Sequence, residues 1–138
     1  MRIRFGEGGL AVDETETSHF WVGHFPEALA CTYFAEVYGV DRDETALSAF
    51  ARDQGDQFYD HDFLEYGFND TAGTVEELVE GYSYSDQWGA DLARLVAEAG
   101  LSGVNWFAFI NESEIERPRS VQGDGYWYRY LGTITYRI

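Results

Sequence analysis

The sequence predicts an α+β fold in a single domain, with a mainly antiparallel sheet and helices packed on it. Three observations predict it. A β-like run, Ser18 to Phe25, comes early. Helical patterns occupy the chain from Pro26 to Gly100. Strand patterns then return, from Val104 to the last residue. Helices gathered between an early strand and late ones favour segregated layers over alternating βαβ units. The chain has 138 residues, 45 % of them hydrophobic and 17 % aromatic, enough for one real core. No repeat, low-complexity tract or linker divides it.

The elements follow in order. Met1 to Phe5 alternates weakly, as a short edge strand does, and Gly6 to Ser18 reads as a loop. In SHFWVGHF, Phe20 and Val22 have one parity and Trp21 and Phe25 the other, so the strand is covered on both sides. Pro26 suits the first helical position, because its missing N–H has no intrahelical partner there. That helix runs to Tyr38 with Leu29, Tyr33 and Val37 as its buried stripe, and Cys31 on it reads as a buried thiol. Val40 to Thr45 is a charged loop. Ala46 to Gln54 is a second helix, with Leu47, Phe50 and Ala51 inward and Gly55 as its stop. Gln57 to Phe68 is acidic, aromatic and extended or irregular. Thr74 and Glu77 have capping-box spacing for a short helix ending near Gly81. Ser83 and Asp86 repeat the pattern before the clearest helix, which ends at Gly100 and aligns Trp88, Leu92, Leu95, Val96 and Ala99. Val104 to Ile110 is almost wholly apolar, as a central strand is. Asn111 to Gly125 is a polar loop or hairpin connection. Tyr126 to Ile138 alternates, and Gly132 within it marks a bend, a bulge or a strand break.

Charge is the strongest compositional signal. Nine basic residues face 25 acidic ones, a net charge of −16, and all nine are Arg. Such charge repels nucleic-acid phosphates and anionic membranes, and favours basic partners, metal cations or simple solubility. It is uneven along the chain. From Ala51 to Asp91 eleven acids face Arg52 alone, while from Arg117 onward four arginines face Asp124. Tyr59, Tyr66, Tyr82, Tyr84, Phe58 and Phe63 are interleaved with those acids. Acids steer a basic partner, and tyrosines supply contact area at low rotamer cost. The opposing reading makes the aromatics core and the acids their solvated neighbours; neither parity of QFYDHDFLEY is cleanly apolar.

Enzyme signals are sparse. Asp60, His61 and Asp62, with Asp56 and Glu65 nearby, offer ligands for a divalent metal, but neither the calcium-loop pattern nor H-E-x-x-H is present. A small carboxylate-metal hydrolase remains the enzymatic alternative. His19 and His24 point to opposite faces of their strand. Neither they nor Cys31 lie in a recognised thiol-enzyme context, and Gly6-Glu7-Gly8-Gly9 lacks the setting of a phosphate loop. A single cysteine excludes an internal disulfide. With no signal-peptide pattern and no apolar run of 18 residues, the expectation is a cytoplasmic protein with no membrane partner.

Four segments, in order between about residues 18 and 136, resemble the immunity protein 22 family of bacterial polymorphic toxin systems. They are HFWVGHF from His19, SAFARDQGDQFYDHDFLE from Ser48, GYSYS from Gly81 and YLGTITY from Tyr130. The resemblance implies an α+β antitoxin that binds and neutralises a cognate protein toxin, often a nuclease, with no enzymatic activity and no cofactor. The expected partner is a toxin with a basic active-site surface, and not nucleic acid. The expected contacts are Asp53, Asp56, Asp60, Asp62, Glu65 and Asp86, with Tyr59, Tyr82 and Tyr84 as aromatic anchors. An acidic adaptor or nucleic-acid mimic with several partners is the third reading.

Overall fold

The computed structural model describes residues 14–35, 48–55 and 64–138. The predicted edge strand Met1 to Phe5, the far end of the first helix with Val37, the loop Val40 to Thr45, Leu47 and the segment from Gln57 to Phe63 lie outside them, wholly or in part.

The first strand, β1 (Thr15–His24), begins earlier than its apolar run. Thr15, Glu16 and Thr17 pair with Arg137, Tyr136 and Thr135, so polar residues extend a two-stranded ribbon beyond the core. Phe20, Trp21 and Val22 are all fully buried, as a strand covered on both sides requires. The first face carries Trp21 and Phe25. The second carries Phe20 and Val22.

Helix α1 (Glu27–Ala30) is shorter than its sequence stripe suggests. Pro26 is extended and caps the helix, its carbonyl accepting from the N–H groups of Leu29 and Ala30. Turns continue the chain, and Tyr33 is buried as expected, but Cys31 is exposed. With the helix ending at Ala30, Cys31 turns outward while Tyr33 and Phe34 turn in. Helix α2 (Ala49–Gln54) is capped by Ser48, whose Oγ accepts from Ala51 N–H at 3.1 Å. That cap sets its start after the predicted Ala46, and Gly55 ends it in the left-handed conformation, φ +81°.

Strand β2 (Leu64–Phe68) leads to α3 (Val75–Val79), capped by Thr74 Oγ accepting from Glu77 N–H. Such a cap contributes about 1 kcal/mol. The reciprocal arm reaches one residue further back than a capping box, since Glu77 Oε1 accepts from Gly73 N–H. Helix α4 (Ser85–Glu98) buries Trp88, Leu92 and Val96, with Leu95 half-buried and Ala99 exposed. Ser83 is not its cap. The capping position belongs to Tyr84, which makes no side-chain cap bond, and the Ser83 N–H donates to Glu65 Oε2 at 3.1 Å.

Strands β3 (Trp106–Asn111), β4 (Val121–Gln122) and β5 (Trp127–Arg137) complete a five-stranded antiparallel sheet of order β2-β3-β1-β5-β4. The first face packs Trp21, Phe25, Trp106, Ala108, Ile110 and Tyr128 against α1, α2 and Ile115. The second packs Phe20, Val22, Phe107, Phe109, Ile134 and Tyr136 against α3 and α4. Trp88 fills its centre, with ring centroids 4.9 Å from Phe20 and 4.8 Å from Phe109.

Gly132 marks a bulge. Phe20 pairs with Gly132 but Trp21 pairs with Tyr130, so Leu131 is the extra residue. Tyr128 and Tyr130 therefore face the first core, whereas Ile134 and Tyr136, of the same parity, face the second. One inserted residue moves every later side chain to the other face.

Gly23 is a point of close approach. A Cβ there would lie 2.1 Å from the Trp127 carbonyl oxygen and 2.5 Å from Tyr128 Cβ. Gly23→Ala is expected to lose about 2 kcal/mol to overpacking, read as a lower urea midpoint with unchanged slope.

Candidate functional site

The sequence concentrates negative charge between Ala51 and Asp91, and the described part of that stretch divides between the two faces of the sheet. Asp53 lies on the first. Glu65, Tyr82, Tyr84 and Asp86 converge on the second. Asp56, Tyr59, Asp60 and Asp62 lie outside the described residues.

Asp53 is the terminus of a buried hydrogen-bond chain. Its Oδ2 accepts from Tyr33 Oη at 2.7 Å and Tyr126 Oη at 2.6 Å, and its Oδ1 from Arg52 Nε at 2.9 Å. Tyr33 spends its only hydroxyl proton on Asp53, so in the 2.6 Å contact with Tyr128 it is Tyr128 that donates. Gln54 Nε2 in turn donates to Tyr128 Oη at 3.1 Å. The same Gln54 amide grips the backbone of Arg119, accepting from its N–H at 2.8 Å and donating to its carbonyl at 2.9 Å. That carbonyl also accepts from Trp21 Nε1 at 3.1 Å. Further along the same loop, the Ile115 carbonyl accepts from His19 Nε2 at 2.9 Å, which leaves His19 Nδ1 to accept from Tyr130 Oη. The polar loop after β3 is thus fastened to the first face by its backbone.

Burial alone would raise the Asp53 pKa, but the hydrogen bonds from Arg52, Tyr126 and Tyr33, with the Arg52 charge, outweigh it and hold the carboxyl below its ordinary value. Burial pushes Tyr33 and Tyr128 well above the usual phenol range, and the Asp53 charge adds to both. Both oxygens of Asp53 are committed within the fold. The sequence carries only traces of this cluster, the buried stripe position of Tyr33 and the alternation from Tyr126 onward; nothing local marks Gln54.

The second-face cluster is built by the connection from α3 to α4. Gly81, at φ +86°, reverses the chain. Tyr82 then packs edge-on to Phe107, centroids 4.8 Å apart. A Cβ at Gly67 would lie 2.4 Å from the Tyr82 hydroxyl, so that glycine makes the space. Glu65, half-buried on β2, receives Ser83 N–H, and the Ser83 carbonyl accepts from Trp88 Nε1 at 2.8 Å. Between these two ties Tyr84 adopts φ +60°, the one left-handed non-glycine among the described residues. A bulky side chain there costs roughly 1–3 kcal/mol. Its ring is 44 % exposed and leans on Tyr136 at 6.1 Å. Asp86 is exposed in the first turn of α4, where the helix dipole favours an anion.

The helical layer of α3 and α4, with the connection between them, is acidic. Glu76, Glu77, Glu80, Asp86, Asp91 and Glu98 are all exposed. The one base on α3 and α4, Arg94, is shared between Asp91 at 3.7 Å and Glu98 at 3.3 Å. The connection presents the exposed Tyr84, in a left-handed backbone conformation, between Glu80 and Asp86 in the chain. Among the described residues no group of three or more His, Cys, Asp or Glu could hold a metal ion, and no helix is long and apolar enough to cross a membrane.

A family model described as Immunity protein 22 matches residues 19–137. No curated protein and no solved structure matches the chain. The match spans all four segments that carry the sequence resemblance, from HFWVGHF to the closing strand, and nearly the whole sheet with both its layers. The chain belongs to the immunity protein 22 family.

Proposed function

We propose that the protein binds and neutralises a cognate toxin through the second-face surface around Tyr84, with Glu65, Tyr82 and Asp86 beside it. Family membership supports the immunity, or antitoxin, role itself, and fits an inhibitor that acts by binding and not by turnover. The observation that carries the assignment of the surface is Tyr84: an exposed aromatic held in a costly left-handed turn among carboxylates. A preorganised aromatic loses little entropy on binding. The acidic layer of α3 and α4 steers a basic partner toward it. A nuclease is the toxin class that fits this charge, since a groove that holds nucleic-acid phosphates is itself basic. Asp56, Tyr59, Asp60 and Asp62, which lie outside the described residues, are proposed as further contacts on the sequence pattern alone, acids interleaved with aromatics.

The test separates binding from folding. Tyr84→Gly removes the ring and relieves the positive φ, so stability should stay within about 1 kcal/mol of wild type. Affinity for the cognate toxin domain should fall by about 10- to 100-fold. Asp86→Arg should weaken binding as well, and flatten its dependence on salt. Calorimetric titrations at two salt concentrations read both effects. Wild-type affinity and salt dependence in both variants would remove this surface from the interface.

A further inference from the structure

The second face of the sheet is roofed unevenly. Helix α4 ends at Glu98, and the chain leaves it through Gly100, φ +70°, and Leu101. Beyond Leu101 lies an open groove of about 430 Å³ over the outer edge formed by β4 and β5. Its floor is set by register. Gln122 pairs with Trp127 across the hairpin, and Arg129, two residues further along β5, pairs with Val22, whose side chain belongs to the second core. Trp127, Arg129 and Gln122 therefore share the second face. Leu101 forms the wall and Ser120 the far end.

The chemistry of this groove is opposite to that of the helical layer. Its lining holds one charge, the exposed guanidinium of Arg129, and no carboxylate. The Trp127 indole is half-buried beside it. Ser120 Oγ accepts from Tyr130 N–H at 2.9 Å, which leaves its own proton to donate. A guanidinium fork, a hydroxyl donor and a flat apolar wall suit a carboxylate carried next to an apolar group. Trp and Arg are also the residue types that most often carry interface energy.

We propose that this groove is a second anchor for the toxin, seating one of its Asp or Glu side chains beside an apolar neighbour. The proposal rests on the reading that a toxin is the partner. Both surfaces open on the same side of the sheet. Tyr84 leans on Tyr136 and the groove holds Arg129, seven residues earlier on the same strand, so at about 3.3 Å per residue the two anchors lie roughly 20 Å apart, within the span of one standard interface. Anchors of opposite sign fix the orientation of the bound toxin. They also discriminate: a toxin with a basic residue at the groove meets Arg129, and one docked in reverse sets its carboxylate against the acids of α3 and α4.

The experiment titrates the cognate toxin domain against wild type, Arg129→Glu, Arg129→Lys and Trp127→Ala, with melting temperatures as the folding control. Arg129→Glu is expected to weaken binding about 100-fold, Trp127→Ala about 10-fold, and Arg129→Lys to recover only part of the loss because it lacks the planar fork. If Arg129→Glu binds within twofold of wild type while Tyr84→Gly and Asp86→Arg do not, the groove proposal falls and the acidic surface stands. Wild-type affinity in every variant removes both. A fall in sedimenting mass on Arg129→Glu, with toxin affinity unchanged, would make the occupant a second copy of this chain and overturn the proposal.

Discussion

Replacing Asp53 by alanine is expected to cost the fold about 3 kcal/mol, several times the effect of removing an exposed acid such as Asp86. The Asp53 side chain is 15 % exposed and receives two tyrosine hydroxyls on one oxygen. Hydrogen bonds to a charged group contribute about 1.5–3 kcal/mol each, and the donors left behind lose their acceptor in a largely buried site. The Arg52 pair adds little, because that guanidinium side chain is 63 % exposed. The loss should also propagate, since Asp53 ends the chain that runs through Tyr33 and Tyr128 to Gln54. Urea denaturation followed by near-UV circular dichroism measures it, and a change below 0.5 kcal/mol would show the network to be dispensable. Its pH dependence has a definite sign. A carboxyl held below its ordinary value stabilises fully above the unfolded-state pKa of about 3.9. That contribution is lost as pH falls through the folded value. The gap between wild type and Asp53→Ala should therefore be full at neutral pH and shrink in acid below about pH 4. A binding scan that includes Asp53 must be read against this cost, because a variant that unfolds also stops binding.

Much of the fold was legible in the sequence, and the exceptions share a cause. The two-sided burial of β1, the apolar run of β3 and the stripe of α4 are periodic signals, and local periodicity survives into the structure. Gly55 and Thr74 act as their residue types suggest, because caps and stops are settled within one turn of chain, whereas Ser48, inside the expected helix, caps it instead. What could not be read depends on partners distant in sequence. Ser83 has good capping spacing, but its N–H is engaged by Glu65 eighteen residues away, and Tyr84 in the left-handed conformation takes the capping position instead. In β5 the parity of the tyrosines continues through the bulge while the face does not, since only pairing with β1 shows that Leu131 is extra. Asn111 to Gly125 reads as a polar loop or hairpin connection, and Val121 and Gln122 at its far end pair with β5 as the short strand β4. Nothing in its composition reveals that Gln54, Trp21 and His19 hold its backbone. The candidate site follows the same pattern: the charge was visible, its division between two faces was not. The Arg129 groove escaped notice because its lining residues are individually ordinary and only the hairpin register collects them.

The buried tyrosines make the fold vulnerable to alkali, and this is the largest pH effect expected. Tyr33, Tyr128 and Tyr136 all have raised folded-state pKa values, chiefly from burial, and Tyr136 is pushed up to about 12. Loss of the proton would place a phenolate inside the aromatic core, and for Tyr33 directly against the Asp53 carboxylate. Below the unfolded-state value of about 10 these groups are protonated in both states and stability is unaffected. Above it the unfolded chain releases protons that the native state retains, so stability falls as pH rises. Each retained proton contributes about 1.4 kcal/mol per pH unit, so three give a slope of about 4. For a domain with a total of about 5–8 kcal/mol, the lower part of the usual range, cooperative unfolding is expected between about pH 11 and 12. The net charge of −16 adds self-repulsion in the same direction. Urea unfolding at pH 9, 10 and 11 measures the slope directly. Tyrosinate absorbance from these three residues should appear only as near-UV dichroism is lost. Tyr136→Phe should reduce the slope by about one proton while leaving the other two groups in place, at the cost of the hydroxyl contact with Ser18 at 2.9 Å. A stability that stayed flat from pH 9 to 11, or full tyrosine ionisation with the near-UV signal intact, would mean that these hydroxyls reach solvent without unfolding.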